Sequence, residues 1–219
     1  MSKYIIEVKN VSKKFQDHTV LKDVSVNFQS GKIYGIIGRN GSGKTVLFKS
    51  ICGFFPVTSG DIVVNNKIVG KETDIPSDLG IIIEEPGFLP NYSGYKNLKF
   101  LSNIHRKIDD KGIYSVLKRV GLEKDAHKKV GKYSMGMRQR LGIAQSIMEN
   151  QSILILDEPM NGLDKSGVED VRTLLKELRE EGKTIIIASH NSEDIRILCD
   201  EVYEMDGGVL SKYIVWWKV

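Results

Sequence analysis

The chain has 219 residues, of which 41% are hydrophobic and 27% are charged, and its formal net charge is +4. This length fits one α/β domain that carries an inserted subdomain, and the composition supplies enough apolar side chains for a core. So small and dispersed an excess of positive charge argues against nucleic acid as the main partner.

The sequence also lacks the usual signs of secretion or membrane insertion. The N-terminal residues have no apolar block of the signal-peptide kind, and no apolar stretch approaches the ~18 residues that a membrane span requires. The two cysteines, Cys52 and Cys199, do not have the spacing of a metal site or redox motif. These features predict a cytoplasmic protein that serves any membrane process by docking peripherally to other chains.

Short apolar runs bounded by turn residues predict strands along the chain. They lie at residues 4–8, 24–28, 33–37, 61–64, 79–83, 153–156, 184–188 and 202–205. The runs at 33–37, 79–83, 153–156 and 184–188 are almost wholly apolar, as expected of parallel strands that are covered on both faces. The first two runs alternate polar and apolar residues and predict an antiparallel flank. Asp206-Gly-Gly208 predicts a hairpin turn into a strand at 209–214.

Helical periodicity falls between these runs. It predicts helices at about residues 43–52, 95–104, 111–120, 135–148, 166–181 and 192–199. Residues 85–150 are helical in pattern without a convincing strand. We therefore predict a nucleotide-binding core formed by residues 1–84 and 151–219, and an inserted helical subdomain at 85–150.

A glycine-rich loop joins the predicted strand at 33–37 to the helix that follows. It matches the phosphate-loop pattern G-x-x-x-x-G-K-[ST] in the strand, loop and helix context that the pattern requires. Backbone N–H groups of such a loop surround phosphate oxygens, while Lys44 reaches the terminal phosphates and the Thr45 hydroxyl ligates Mg²⁺. The predicted nucleotide-binding residues of this segment are Gly38, Arg39, Asn40, Gly41, Ser42, Gly43, Lys44, Thr45 and Val46.

Two further segments narrow the class of nucleotide-binding protein. Residues 133–140 read Tyr-Ser-Met-Gly-Met-Arg-Gln-Arg, and 153–159 read Ile-Leu-Ile-Leu-Asp-Glu-Pro. Together they resemble the signature and second phosphate-site motifs of ABC-type ATPases, the motor subunits of membrane transporters. In this family the signature closes over ATP held by a second subunit, so the resemblance implies a homodimer or a cassette pair.

The resemblance implies roles for the residues in these motifs. Asp157 ends a strand where a carboxylate can hold Mg²⁺ opposite Thr45. Glu158 resembles the general base that activates the attacking water, which implies hydrolysis and not only binding. Ser134 and Gly136 resemble the phosphate-contacting residues of the signature, although Met135 stands where the family usually has glycine. Ser134 would serve equally well as a plain helix cap.

Three more positions match the family in order. Asp164, in Asn161-Gly-Leu-Asp164, resembles the residue that contacts the opposite subunit. His190 resembles the switch histidine that hydrogen-bonds the γ-phosphate, although a histidine at a strand end is often structural. Phe15 stands where the family has an aromatic side chain stacked on adenine, and core packing is the alternative explanation for it.

Glu84 departs from the commonest family pattern, which has glutamine after the strand at 79–83. Glutamate here resembles the branch of bacterial exporters that handle lantibiotics, bacitracin-like peptides and related antimicrobials. The carboxylate could bind Mg²⁺ and relay the ATP state to a membrane partner, and it adds negative charge near the γ-phosphate. A neutral substitution is the alternative.

The family resemblance thus implies an ATP- and Mg²⁺-dependent motor on the cytoplasmic face of a membrane, working with a separate transmembrane permease. The implied catalytic set is Lys44, Glu84, Glu158 and His190, and the implied metal ligands are Thr45, Glu84 and Asp157. A soluble ABC ATPase acting on ribosomes or DNA remains the alternative, and a GTPase is disfavoured because no Asn-Lys-x-Asp run is present. The terminal segment with Trp216 and Trp217 is predicted to be a strand packed on the core or an anchor at a surface.

Overall fold

The fold is built around a six-stranded sheet in which five strands run parallel. The computed structural model describes residues 4–105 and 107–214. The tail prediction for Trp216 and Trp217 falls outside the described residues. The strand order is β10-β9-β3-β8-β7-β6, and only the edge strand β10 is antiparallel to its neighbour. The strands are β3 (Ile33–Ile37), β6 (Leu79–Ile82), β7 (Ile153–Asp157), β8 (Thr184–Ala188), β9 (Glu201–Asp206) and β10 (Val209–Tyr213).

A second, four-stranded sheet is antiparallel and has the order β2-β1-β4-β5. Its strands are β1 (Tyr4–Phe15), β2 (His18–Gln29), β4 (Ser59–Val64) and β5 (Lys67–Ile68). The predicted antiparallel flank and the α/β fold class are confirmed. The first two strands are longer than predicted, and β5 was not predicted because two residues are too few to show alternation.

Burial in the parallel sheet follows strand position. Every residue of β8 is buried, as is all of β3 and β7 except the last residue of each. The run at 79–83 is covered less completely than expected: Ile82 is buried in one hydrophobic cluster, whereas Leu79 and Ile81 pack against the other and are only partly buried. As the edge strand of its sheet, β6 alternates in burial although its sequence is almost wholly apolar.

Helices cover the sheet and fill the chain between β6 and β7. They are α1 (Lys44–Ile51), α2 (Gly94–His105), α3 (Asp110–Arg119), α4 (Met135–Ile147), α5 (Lys165–Glu180) and α6 (Ser192–Leu198). Within the described part of 85–150, helices and turns occur without a strand of either sheet. The division of the chain into a core and a helical subdomain stays a prediction.

Close packing of α4 on β6 links this helical segment to the parallel sheet. A Cβ atom added to Gly80 of β6 would lie 1.8 Å from the carbonyl oxygen of Ser146 on α4, so only glycine allows this approach. Among residues 4–105 and 107–214, no helix has both the length and the apolar character needed to cross a membrane.

Candidate nucleotide-binding site

A cleft of about 950 Å³ opens where β3 and β7 end. Ligands of open α/β sheets bind at this edge, beyond the carboxyl ends of the parallel strands. Nine of the predicted site residues line the cleft, and they come from the phosphate loop with α1, the end of β6 and the end of β7. They are Asn40, Gly41, Gly43, Lys44, Thr45, Val46, Glu84, Asp157 and Glu158.

The phosphate loop has the backbone conformation that its glycines permit. Gly38, Gly41 and Gly43 have φ angles of 147°, 77° and 116°, all in the region that side chains other than glycine rarely adopt. The Lys44 ammonium donates hydrogen bonds to the carbonyl oxygens of Gly38 (2.7 Å) and Arg39 (3.0 Å). The lysine is therefore buried against the loop that is expected to hold phosphate.

An orphan hydroxyl in the same loop fits an anionic ligand. Ser42 Oγ is buried and has no hydrogen-bond partner within the described parts of the chain. A buried hydroxyl without a partner is unfavourable, and a phosphate oxygen would satisfy it. Although Ser42 does not line the cleft, it lies between two residues that do, Gly41 and Gly43.

Thr45 and Asp157 meet at the base of the cleft. The Thr45 hydroxyl donates to Asp157 Oδ2 at 2.9 Å, which joins the start of α1 to the end of β7. Burial raises the pKa of the Asp157 carboxyl above its usual value, although the Thr45 hydroxyl and the nearby Lys44 charge counteract this. A nearby cation would therefore favour the ionised form of Asp157.

The next residue, Glu158, is paired with His190. The His190 backbone N–H donates to Glu158 Oε1 at 3.1 Å, and His190 Nδ1 lies 2.9 Å from Glu158 Oε2. Glu158 has a φ angle of 49°, a left-handed conformation that is uncommon for glutamate and is found at functional sites. His190 itself is exposed and does not line the cleft.

Glu84 lines the cleft from the segment just after β6. Its carboxylate Oε1 accepts a hydrogen bond from Lys49 Nζ of α1 at 2.6 Å. The side chain is 64% exposed, and its backbone φ of 64° is again left-handed. No group of three or more His, Cys, Asp or Glu side chains that could enclose a metal occurs among the described residues.

The predicted signature residues Ser134 and Gly136, like Asp164, lie at the starts of helices and not in the lining of the cleft. Ser134 is the N-cap of α4, and its hydroxyl accepts from the Met137 N–H at 3.2 Å. Asp164 is the N-cap of α5, where the Gly167 N–H and the Ser166 hydroxyl lower the pKa of its carboxyl. Ser134, Gly136 and Asp164 do not line the cleft of their own chain. The helix-cap explanation of Ser134 is thus correct, and its contact with a second nucleotide stays a prediction.

Phe15 is not in the lining of the cleft either. Its ring is 38% exposed and packs edge-on against Phe55 at 5.3 Å, with Lys13 Nζ 4.6 Å from the ring centroid. Core packing, the alternative explanation, is therefore wrong.

Val20 of β2 lines the cleft near the phosphate loop. Arg39 and Gly38 flank the cleft without lining it.

No sequence pattern indicated that the β9–β10 hairpin contacts the phosphate loop. A Cβ on Gly38 would lie 2.2 Å from the carbonyl oxygen of Met205. The Gly208 N–H donates to the Ser42 carbonyl at 3.0 Å. The predicted turn at Asp206-Gly-Gly208 was the one sequence feature that pointed to this hairpin, but a local pattern does not show what a turn packs against.

The fold and the site define a nucleotide-hydrolysing protein of the phosphate-loop class. The matching family model is that of the ABC transporter family, and it covers residues 21–161. The chain belongs to the ABC transporter family, as an ATP-binding subunit whose ATP hydrolysis drives transport. The transport role is thus favoured over the soluble alternative.

Similar proteins carry the same assignment. The chain is 45% identical to the ABC transporter ATP-binding protein YybJ of Bacillus subtilis, over 94% of each chain. It is 39% identical to the bacitracin transport ATP-binding protein BcrA of Enterococcus faecalis, over 94% of this chain and 68% of the relative. It is 36% identical to the lantibiotic transport ATP-binding protein SrtF of Streptococcus pyogenes, over 90% of this chain and 84% of the relative.

The fold also matches a solved structure of the family. A bacterial ABC transporter cassette, solved as a dimer, superposes with a TM-score of 0.85 at 25% identity. The match covers 96% of this chain and all of that cassette.

Proposed function

We propose that this chain powers the export of a peptide antibiotic or a similar amphiphile through a separate transmembrane permease. BcrA and SrtF, whose names refer to bacitracin and lantibiotic transport, support this cargo class. Glu84 adds support, since its glutamate resembles the exporter branch that handles such peptides.

The observation that carries the motor role is the convergence of three loops on one cleft. Lys44 and Thr45 of the phosphate loop, Asp157 and Glu158 after β7, and Glu84 after β6 line it together. Lys44 would neutralise the terminal phosphates, and the backbone N–H groups of the loop would orient them. Glu158 would accept a proton from the attacking water while His190 fixes the orientation of its carboxylate.

The donor set fits Mg²⁺. Mg²⁺ in nucleotide sites is held by hydroxyl and carboxylate oxygens together with substrate phosphates, and not by a cage of protein ligands. Thr45, Asp157 and Glu84 supply oxygen atoms of this kind, and Thr45 already contacts Asp157. When bound, the ion would neutralise charge on the phosphates.

Dimerisation would complete the site. Ser134 and Gly136 begin α4, where backbone N–H groups and the positive end of the helix dipole favour an anion. Since Ser134 and Gly136 do not line the cleft of their own chain, although Met135 between them does, ATP held by a second copy is the ligand that we assign to them. Asp164 would contact that second copy, and the dimer would work at the cytoplasmic face of the membrane.

Purification of the tagged chain from its native cells in mild detergent tests the proposal. Mass spectrometry should identify a polytopic membrane protein in near-equal amount, and peptide antibiotics should stimulate ATP hydrolysis by the reconstituted pair. Recovery of ribosomal or DNA-repair proteins without a membrane partner would contradict the transport proposal. A permease whose ATPase responds to other solutes alone would contradict only the cargo class.

A further inference from the structure

Lys49 connects the phosphate-loop helix to Glu84. It lies on α1 four residues after Thr45, so the two side chains share one face of that helix. Thr45 contacts Asp157, and Lys49 contacts Glu84 at 2.6 Å. Two residues of α1, one helical turn apart, thus contact the two carboxylates assigned to Mg²⁺, Asp157 and Glu84.

Glu84 borders two cavities, whereas Lys49 borders one. Glu84 lines both the nucleotide cleft and a neighbouring groove of about 450 Å³. Lys49 lines only the groove, and its side chain is 21% exposed against 64% for Glu84. The ion pair therefore draws the Glu84 carboxylate toward the groove side of the boundary.

The charges around Glu84 indicate what the Lys49–Glu84 ion pair does. Glu84 and Asp157 both line the nucleotide cleft, so their negative charges share one site, while the Lys49 ammonium is held against Glu84. An uncompensated carboxylate would repel ATP phosphates in the absence of a metal ion and attract the metal ion in its presence. A cation held against Glu84 weakens both effects.

We propose that Lys49 is a positioning residue that holds the Glu84 carboxylate away from the metal site, so that Glu84 joins the site only when this ion pair opens. The inference rests on the proposed role of Glu84 as a Mg²⁺ ligand. The exposed side of the pair faces water, which keeps the ion pair weak enough to open during a catalytic cycle.

Nucleotide binding with and without Mg²⁺ tests the inference without requiring turnover. The dissociation constant of trinitrophenyl-ATP would be measured by fluorescence in EDTA and in excess Mg²⁺. The quantity of interest is the dissociation constant in EDTA divided by that in Mg²⁺. Lys49→Gln should raise this ratio about two- to fivefold, which is the range that one exposed ion pair provides. Lys49→Arg should keep the ratio of the original protein, because it preserves the charge.

The background variant Glu84→Gln separates this role from a general charge effect. In Glu84→Gln, adding Lys49→Gln should leave the ratio unchanged. An equal increase in both backgrounds would overturn the inference, as would an unchanged ratio in Lys49→Gln alone. Failure of the unsubstituted chain to bind the nucleotide at all would instead refute the proposed motor function, and the inference with it. Thermal melting of each variant verifies its fold.

Discussion

At the scale of single residues, the site combines two carboxylates with different surroundings. Asp157 is partly buried and shares a hydrogen bond with Thr45, whereas Glu158 is fixed by both the backbone and the ring of His190. These environments suit a metal ligand and a general base, respectively.

Glu158→Gln should lower ATP hydrolysis by about 10²- to 10⁴-fold, because the amide cannot accept the proton of the attacking water. ATP affinity should change little, since the glutamine keeps the shape of the side chain. Phosphate release and nucleotide binding would be measured together, with Glu123→Gln as an exposed control of the same chemistry. Near-normal turnover would refute the assignment of Glu158 as the base.

Asp157→Asn should stabilise the nucleotide-free chain at neutral pH. Burial raises the pKa of Asp157 in the folded state, so the folded state loses stability from this group as pH rises through the interval between the unfolded and folded pKa values. The variant should therefore melt at a higher temperature at pH 7, by about 2–4 °C for each kcal/mol relieved.

This advantage of Asp157→Asn should shrink as the pH is lowered toward the unfolded pKa of aspartate, about 3.9. Melting curves over this pH range provide the measurement, and Asp17→Asn, whose side chain is fully exposed, is the matched control. An equal or lower melting temperature than the unsubstituted chain at pH 7 would show that the Thr45 and Lys44 contacts outweigh burial.

At the scale of elements, the β9–β10 hairpin holds the phosphate loop in place. The Gly208 carbonyl accepts from the Lys22 N–H at 2.8 Å, and its own N–H donates to Ser42 at 3.0 Å. One turn residue thereby joins β2 to the phosphate loop.

Gly208→Ala should destabilise the protein more than Gly207→Ala and should also weaken ATP binding. Both glycines have positive φ angles, 51° at Gly207 and 88° at Gly208, so both variants lose about 1–2 kcal/mol from the left-handed backbone. Only at Gly208 would the new Cβ lie 2.4 Å from the Val20 carbonyl oxygen, whereas nothing lies within 4 Å at Gly207. Thermal melting and nucleotide affinity would distinguish them, and equal losses in the two variants would contradict the hairpin's support of the loop.

At the scale of the whole molecule, the nucleotide-binding residues and the signature residues face different surroundings. Ser134, Gly136 and Asp164 cap or begin helices and do not line the cleft that contains Lys44, although Met135 does. In the proposed dimer, a second copy would bring both halves to one nucleotide; a solved cassette of the family is dimeric.

Glu158→Gln should form a dimer when ATP and Mg²⁺ are added and remain a monomer without them, because slow hydrolysis preserves the closed state. Size-exclusion chromatography with light scattering gives the mass, for which the single chain is 24.6 kDa. The double variant with Lys44→Ala should stay monomeric, since it lacks the contact to the terminal phosphates. A dimer that forms equally well without ATP would contradict nucleotide-driven closure.

The sequence by itself determined nearly all the elements and the charged residues of the cleft that carry the proposed chemistry. The bounds of all six predicted helices agree with the structure within one residue, because apolar periodicity and capping residues are local properties. Glycine, lysine and carboxylate positions in the phosphate loop and after β7 were predictable because their chemistry requires fixed short spacings.

Only the tertiary structure decided which distant residues meet. It pairs Glu84 with Lys49 and Glu158 with His190, moves Phe15 out of the cleft lining, and sets the hairpin at Gly208 against the phosphate loop. It also leaves Leu79 and Ile81 only partly buried, since strand order made β6 an edge strand. These contacts depend on how sheets and loops are arranged in space, and a local sequence pattern contains no information about partners that lie tens of residues away.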